Sequence, residues 1–155
     1  MLVGHLGLAL IGKRVRPDAP LSLLVGAAFL PDIIRAGLDP VVSPGWTNFL
    51  SHSIPSGLVL AGLSALAAAV RPTTRKAGIA VLAAILRGSH LPADYLTGCK
   101  PTWIRGPYVG LNLYQRPLYD LALELPLLIA GLRIARPVLT GEGWLLRRWA
   151  FSACL

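Results

Sequence analysis

The chain has 155 residues, 54% of them hydrophobic and 14% charged, with a mean hydropathy of +0.61 and a formal net charge of +8. Soluble domains carry about 25% charged residues, so this depletion excludes an ordinary soluble fold and predicts a small all-α polytopic membrane bundle of about five helices, one domain over residues 1–155. The positive charge does not predict a nucleic-acid partner. It is broken into short clusters between apolar runs (Lys13, Arg14, Arg16; Arg71, Arg75, Lys76; Arg133, Arg136, Arg147, Arg148), the pattern of cytoplasmic loops against anionic lipid.

Residues 2–12 are apolar apart from His5. As a helix this run reaches about 16 Å, short of a ~30 Å hydrocarbon core, so it is expected as a half-membrane helix or one packed on others. Its positive charges follow it, which predicts an external N terminus and no cleavable signal. The second apolar segment, residues 21–34, contains Pro31 and Asp32; proline restricts the residue before it, so a kink or break is predicted at Leu30–Pro31. Residues 35–53 read as a loop with an interfacial Trp46, ending at His52 and Ser53. Ser51 and Ser53 flank His52, but no G-x-S-x-G elbow marks a serine hydrolase.

Ile54 to Val70 carries no charge and is the cleanest spanning candidate. After the basic loop comes the fourth segment, Ala77 to Thr97, with Arg87, His90 and Asp94 in its second half. A loop rich in Gly, Pro, Tyr and Trp follows to Arg116. The fifth segment, Pro117 to Ala135, has Asp120 and Glu124 early and a predicted kink at Pro126; residues 136–155 read as a basic interfacial tail with Trp144 and Trp149. Cys99 and Cys154 form no C-x-x-C pair and define no disulfide framework.

The stretch Gly88-Ser89-His90-Leu91-Pro92-Ala93-Asp94 is the centre of the functional reading. His90 and Asp94, four apart, share a helix face, and imidazole with carboxylate is a donor pair that Zn²⁺ accepts. A carboxylate in hydrocarbon costs roughly 2.5–3.5 kcal/mol on insertion scales, so Asp94 needs a partner or a role. With the basic clusters placed in the cytoplasm, His5, Asp32, His52, His90, Asp94, Asp120 and Glu124 all fall toward the opposite face. The expected ligand set is His5, Asp32, His52, His90 and Asp94, with Glu124 preferred over Asp120 as a further site residue because it lies deeper. Arg87 could bind a phosphate or pair with Asp94, and Lys100 and Arg105 could attract anionic headgroups.

The chain also resembles a known family. A histidine in an N-terminal apolar helix (His5), Leu30-Pro31-Asp32, Ser51-His52-Ser53 before a long apolar helix, and Ser89-His90-Leu91-Pro92-Ala93-Asp94-Tyr95-Leu96-Thr97 are similar to the predicted membrane-bound metal-dependent hydrolases, which include LexA-binding inner-membrane-associated members. The likeness covers roughly residues 1–135. The family's fuller Pro-Asp-x-Asp is here Pro31-Asp32-Ile33-Ile34, and its His-Arg before the central His motif is missing. By order alone the ligands are also similar to those of zinc-dependent phospholipase C, which implies Asp94 as a bridge between an ion on Asp32, His52 and His90 and a second ion near His5.

The resulting expectation is a hydrolase in the cytoplasmic membrane of a bacterium or archaeon, with its site on the extracytoplasmic side. It holds a divalent ion, Zn²⁺ first and Mn²⁺ or Mg²⁺ next, and acts on a phosphoester of a lipid or lipid-linked substrate. Asp94 and Arg87 carry the catalytic roles, and Lys100 and Arg105 contact substrate. The alternatives are a metal carrier or sensor, and a structural or partner-binding membrane protein.

Overall fold

The computed structural model describes residues 2–70, 76–104 and 106–141. Six α-helices account for most of them: α1 (Leu2–Val15), α2 (Leu21–Leu38), α3 (Pro44–His52), α4 (Ile54–Ala69), α5 (Lys76–Thr97) and α6 (Pro117–Leu139). A two-residue antiparallel hairpin, β1 (Lys100–Pro101) with β2 (Tyr108–Val109), and a 3₁₀ turn, Leu113–Gln115, lie between α5 and α6. The all-α expectation holds; the count rises from five to six because residues 44–52, expected as loop, are helical. Pro44 at the first helical position has the preset φ and the dispensable N–H that suit a helix start. Ser53 then ends α3 in extended geometry and caps α4, its hydroxyl accepting from the Ser56 amide at 3.3 Å. The two helices meet there at 53°.

The predicted break at Leu30–Pro31 does not occur, and α2 runs on to Leu38. Pro31 cannot donate to the carbonyl one turn back, and its ring crowds that turn. The neighbouring carbonyl, Ala28 O, accepts from His90 Nδ1 at 2.8 Å, so packing against α5 supports the helix at its weak point. Likewise α6 continues through Pro126 and Pro137. Helix α1 lies on α6 backbone to backbone: a Cβ on Gly7 would strike Leu127 O, and one on Gly131 would strike Gly7 O. Only glycine permits that approach.

The apolar core is small and built largely from alanine: Ala9, Ala19, Ala27, Ala28, Ala68 and Ala83, with Leu24, Ile79 and Leu86. The polar interior is as prominent, since His5, Ser51, His52, Arg87, His90, Asp94 and Lys100 are all buried. Outside, the order is reversed. Leu58, Val59, Leu63 and Leu66 on α4, and Leu118, Leu121, Leu123 and Leu125 on α6, are exposed. By length and composition, one described helix (Leu21–Leu38) can cross a membrane, and the bent pair α3–α4 is a second candidate if counted as one broken span. Of the expected five helices, α1 was read as short of a crossing and has 14 residues, and α4, read as the cleanest spanning candidate, is with 16 individually too short for a straight crossing. The basic residues Arg71 and Arg75, and Arg147 and Arg148 with the rest of the tail beyond residue 141, lie outside the described residues.

Candidate metal centre

Four elements deliver the centre. Helix α5 presents one buried stripe, Arg87, His90, Asp94 and Thr97, at helical spacing. The last turn of α3 supplies His52, α2 supplies Asp32 just beyond Pro31, and α1 supplies His5. Asp32, His52, His90 and Asp94 each bring one donor atom into a group in which all lie within 4.8 Å of one another, so these four could hold a metal ion.

His52 Nε2 is 3.1 Å from Asp94 Oδ2 and 3.3 Å from Asp32 Oδ1. His90 Nε2 is 3.5 Å from the same Asp94 oxygen and 3.9 Å from Asp32 Oδ2. Bonds of about 2.0–2.1 Å in a tetrahedral shell separate neighbouring donors by about 3.4 Å. The four spacings bracket that value.

The protons decide what the group can hold. Ser51 Oγ lies 2.6 Å from Thr47 O and 2.6 Å from His52 Nδ1. A carbonyl can only accept, so the single hydroxyl proton goes to Thr47 O, and His52 Nδ1–H donates to Ser51 Oγ. His90 Nδ1–H donates to Ala28 O by the same logic. In the neutral form of each ring the lone pair is therefore on Nε2, the atom facing the carboxylates. Two nitrogen lone pairs and two carboxylates then converge, with the Lys100 ammonium 3.2 Å from Asp94 Oδ2. Acceptors crowded this way in a buried site repel one another, and a cation among them removes the repulsion. His90 Nε2 has no hydrogen-bond partner. The residues present fit a divalent ion.

Three of the four donors are enclosed and the fourth is partly exposed. The side chains of His52, His90 and Asp94 are 0–2% exposed, whereas that of Asp32 is 34% exposed, so solvent reaches the group past Asp32. The other Asp94 oxygen, Oδ1, meets His5 Nε2 at 3.3 Å, and the His5 ring stacks on that of His90 with centroids 3.9 Å apart. His5 thus converges on the centre through Asp94 but stands outside the four-donor group. A second ion near it would find His5 and Asp94 Oδ1 as its ligands among the contacts described.

The remaining expected residues divide. Glu124 Oε2 accepts from the backbone amides of Val3 and Gly4, capping α1, and Glu124 is not one of the four grouped donors. Lys100 is placed at the centre itself rather than on the surface. It is buried, with Nζ 3.2 Å from Asp94 Oδ2 and 5.9 Å from the centre of the Tyr114 ring. Burial and the nearby Asp94 charge push the Tyr114 hydroxyl well above its usual pKa, so it stays protonated beside the lysine. Arg87 is fully buried; Nη2 donates to Ser51 O at 3.2 Å, while Nε and Nη1 have no hydrogen-bond partner. The carboxylates whose charge reaches it are Asp94 and Asp32. Arg105 lies outside the described residues.

Two contributors were missed by sequence reasoning. Ser51 fixes the His52 tautomer, and its adjacency to His52 was the available signal. Tyr114 sits under Lys100, and nothing in its loop sequence marks it. No family model, curated protein or solved structure matches the chain.

Proposed function

We propose that the protein is a membrane-bound metal-dependent hydrolase acting on a phosphoester of a lipid or lipid-linked substrate. The observation that carries the reading is the pair of Nε2 lone pairs, each fixed by an Nδ1–H bond, aimed at two carboxylates. A mixed nitrogen and oxygen set favours Zn²⁺, and the imidazoles disfavour the all-oxygen shell of Mg²⁺. An ion held here would acidify a water to a nucleophile at neutral pH and draw charge from a phosphoryl oxygen. The half-exposed Asp32 side leaves the way in.

The chain's own residues do the rest. Ser51 and Ala28 O hold the two imidazoles in ligating orientation. His5 orients Asp94 from its far oxygen. Lys100 and the unpaired Arg87 donors supply positive charge around an arriving anion. The apolar exterior of α4 and α6 supports a lipid surround, because soluble monomers rarely expose contiguous apolar patches of that extent. The basic clusters support an extracytoplasmic site in a cytoplasmic membrane, and the resemblance to the membrane-bound metal-dependent hydrolases supports the reaction class.

The test is elemental analysis of purified protein with and without His90→Ala, followed by a screen of phosphomonoesters, phosphodiesters and lipid-linked phosphates with Zn²⁺, Mn²⁺ or Mg²⁺ restored to chelated protein. Stoichiometric metal and turnover above the His90→Ala control are expected. Metal without turnover would replace the enzyme by a metal carrier or sensor, and absence of metal would leave a structural membrane protein.

A further inference from the structure

A second cavity, of about 190 Å³, lies between α3 and the β-hairpin, lined by residues that include Trp46, Phe49, Pro101, Trp103 and Tyr108. It contains no charged side chain among the described lining residues. Pockets that enclose a whole small ligand run to about 300–1,000 Å³, so this one accommodates one limb of a larger molecule. Two elements that line it also deliver residues to the metal centre. Helix α3 lines the cavity with Phe49 and, one turn on, delivers His52 to the centre; β1 lines it with Pro101 and delivers Lys100 to Asp94. The Ile54 amide bonds Thr102 O at 3.2 Å, fastening the two walls together. Trp46, Trp103 and Tyr108 are each about half exposed, so the cavity opens at an aromatic rim.

We infer that this cavity binds the alkyl chain of an anionic amphiphile, a lipid phosphate whose head is drawn to Lys100 and the metal centre. The apolar pocket and the cationic centre have the two chemistries of such a molecule, and α3 and β1 hold them side by side. The assignment rests on the hydrolase reading for what becomes of the phosphate; occupancy of the cavity does not depend on turnover.

Because Trp46 and Trp103 line the cavity, their fluorescence reports its occupant. The probes are butyl, hexyl and octyl phosphates with a terminal quenching bromine, added to zinc-loaded full-length protein in nanodiscs, with Trp144→Phe and Trp149→Phe silencing the other indoles. Affinity should rise about 4-fold for each methylene buried, then level off. Gly45→Leu fills the cavity at a position where a new Cβ meets nothing within 4 Å. Its retained zinc stoichiometry reports folding, and it should bind the octyl probe at least about 16-fold more weakly, losing two or more of those methylene steps. Chains merely dissolved in the bilayer quench both proteins alike and are subtracted. Lys100→Met should weaken all three probes by a common factor. An affinity independent of chain length, or equal in wild type and Gly45→Leu, would overturn the inference and leave the aromatics as an interfacial belt. Turnover of short phosphoesters without chain dependence would sink the cavity alone; chain-dependent binding without any turnover would sink the hydrolase alone.

Discussion

Helix α5 carries two buried regions on one continuous stripe. Its first half buries Ile79, Ala83 and Leu86 in the apolar core, and its second half buries Arg87, His90, Asp94 and Thr97 in the metal centre. Both are close-packed, yet they are held differently. The apolar half is stabilised by burial itself, which is non-directional and tolerates exchange of similar volumes. The polar half is stabilised only while each charge and lone pair has its counterpart, so it fails by losing a partner rather than by losing volume.

Asp94→Asn should break that contrast most severely. It removes the carboxylate that faces His5, His52, His90 and Lys100 and leaves the buried ammonium without its counter-charge. A loss of about 3–5 kcal/mol is expected in chemical unfolding, with part of it restored by adding Lys100→Met. Failure of that second change to restore anything would show that Lys100 is already solvated. His90→Ala comes next. With about 10–16 kcal/mol of structural-zinc binding shared over four ligands, each is worth about 3 kcal/mol, so affinity should fall by at least about 100-fold in competition with a chromogenic chelator. Chelation of wild type should lower its melting temperature and leave that of His90→Ala unmoved.

Ser51→Ala is the subtler cut at the same half. It removes the hydroxyl that fixes the His52 tautomer, and metal affinity should drop about 10–100-fold with the fold intact. Nitrogen-15 shifts of the His52 ring would report whether the tautomer has changed. On the other half, Ile79→Val should cost only about 0.5–1.5 kcal/mol of stability and leave metal affinity unchanged. An effect of Ile79→Val on metal binding would mean that the two halves of α5 are coupled and that the contrast drawn between them is false.

The same division explains what could be foreseen. His90 and Asp94 were legible because helical spacing alone puts them on one face, His5 and Asp32 because each breaks an apolar run, and His52 because it closes the polar stretch just before the uncharged run from Ile54. The four-donor group draws entirely on that foreseen set. The burial of Lys100 beside Asp94 was not legible, because a loop sequence does not say whether a lysine folds inward. The amide contacts of Glu124 were hidden for a related reason. As a deep carboxylate one turn from Asp120 it has the chemistry of a ligand, and only the docking of α1 on α6 through Gly7 and Gly131 shows that amides of α1 claim it. Helix α3 was missed because its polar, proline-bounded sequence has the composition of a loop.

The carboxylate cap on α1 turns chain order into an order of assembly. Asp32, His52, His90 and Asp94 have all been synthesised by the end of α5, so their group can close on a nascent chain. The seat of the N-terminal helix is completed later: its amides are held by Glu124, more than a hundred residues on, and its glycine seat is on α6. His5 itself touches Phe29, His90 and Asp94, all made before α6. A chain stalled before residue 117 would carry the four donors and His5 without the carboxylate that caps the helix bearing it.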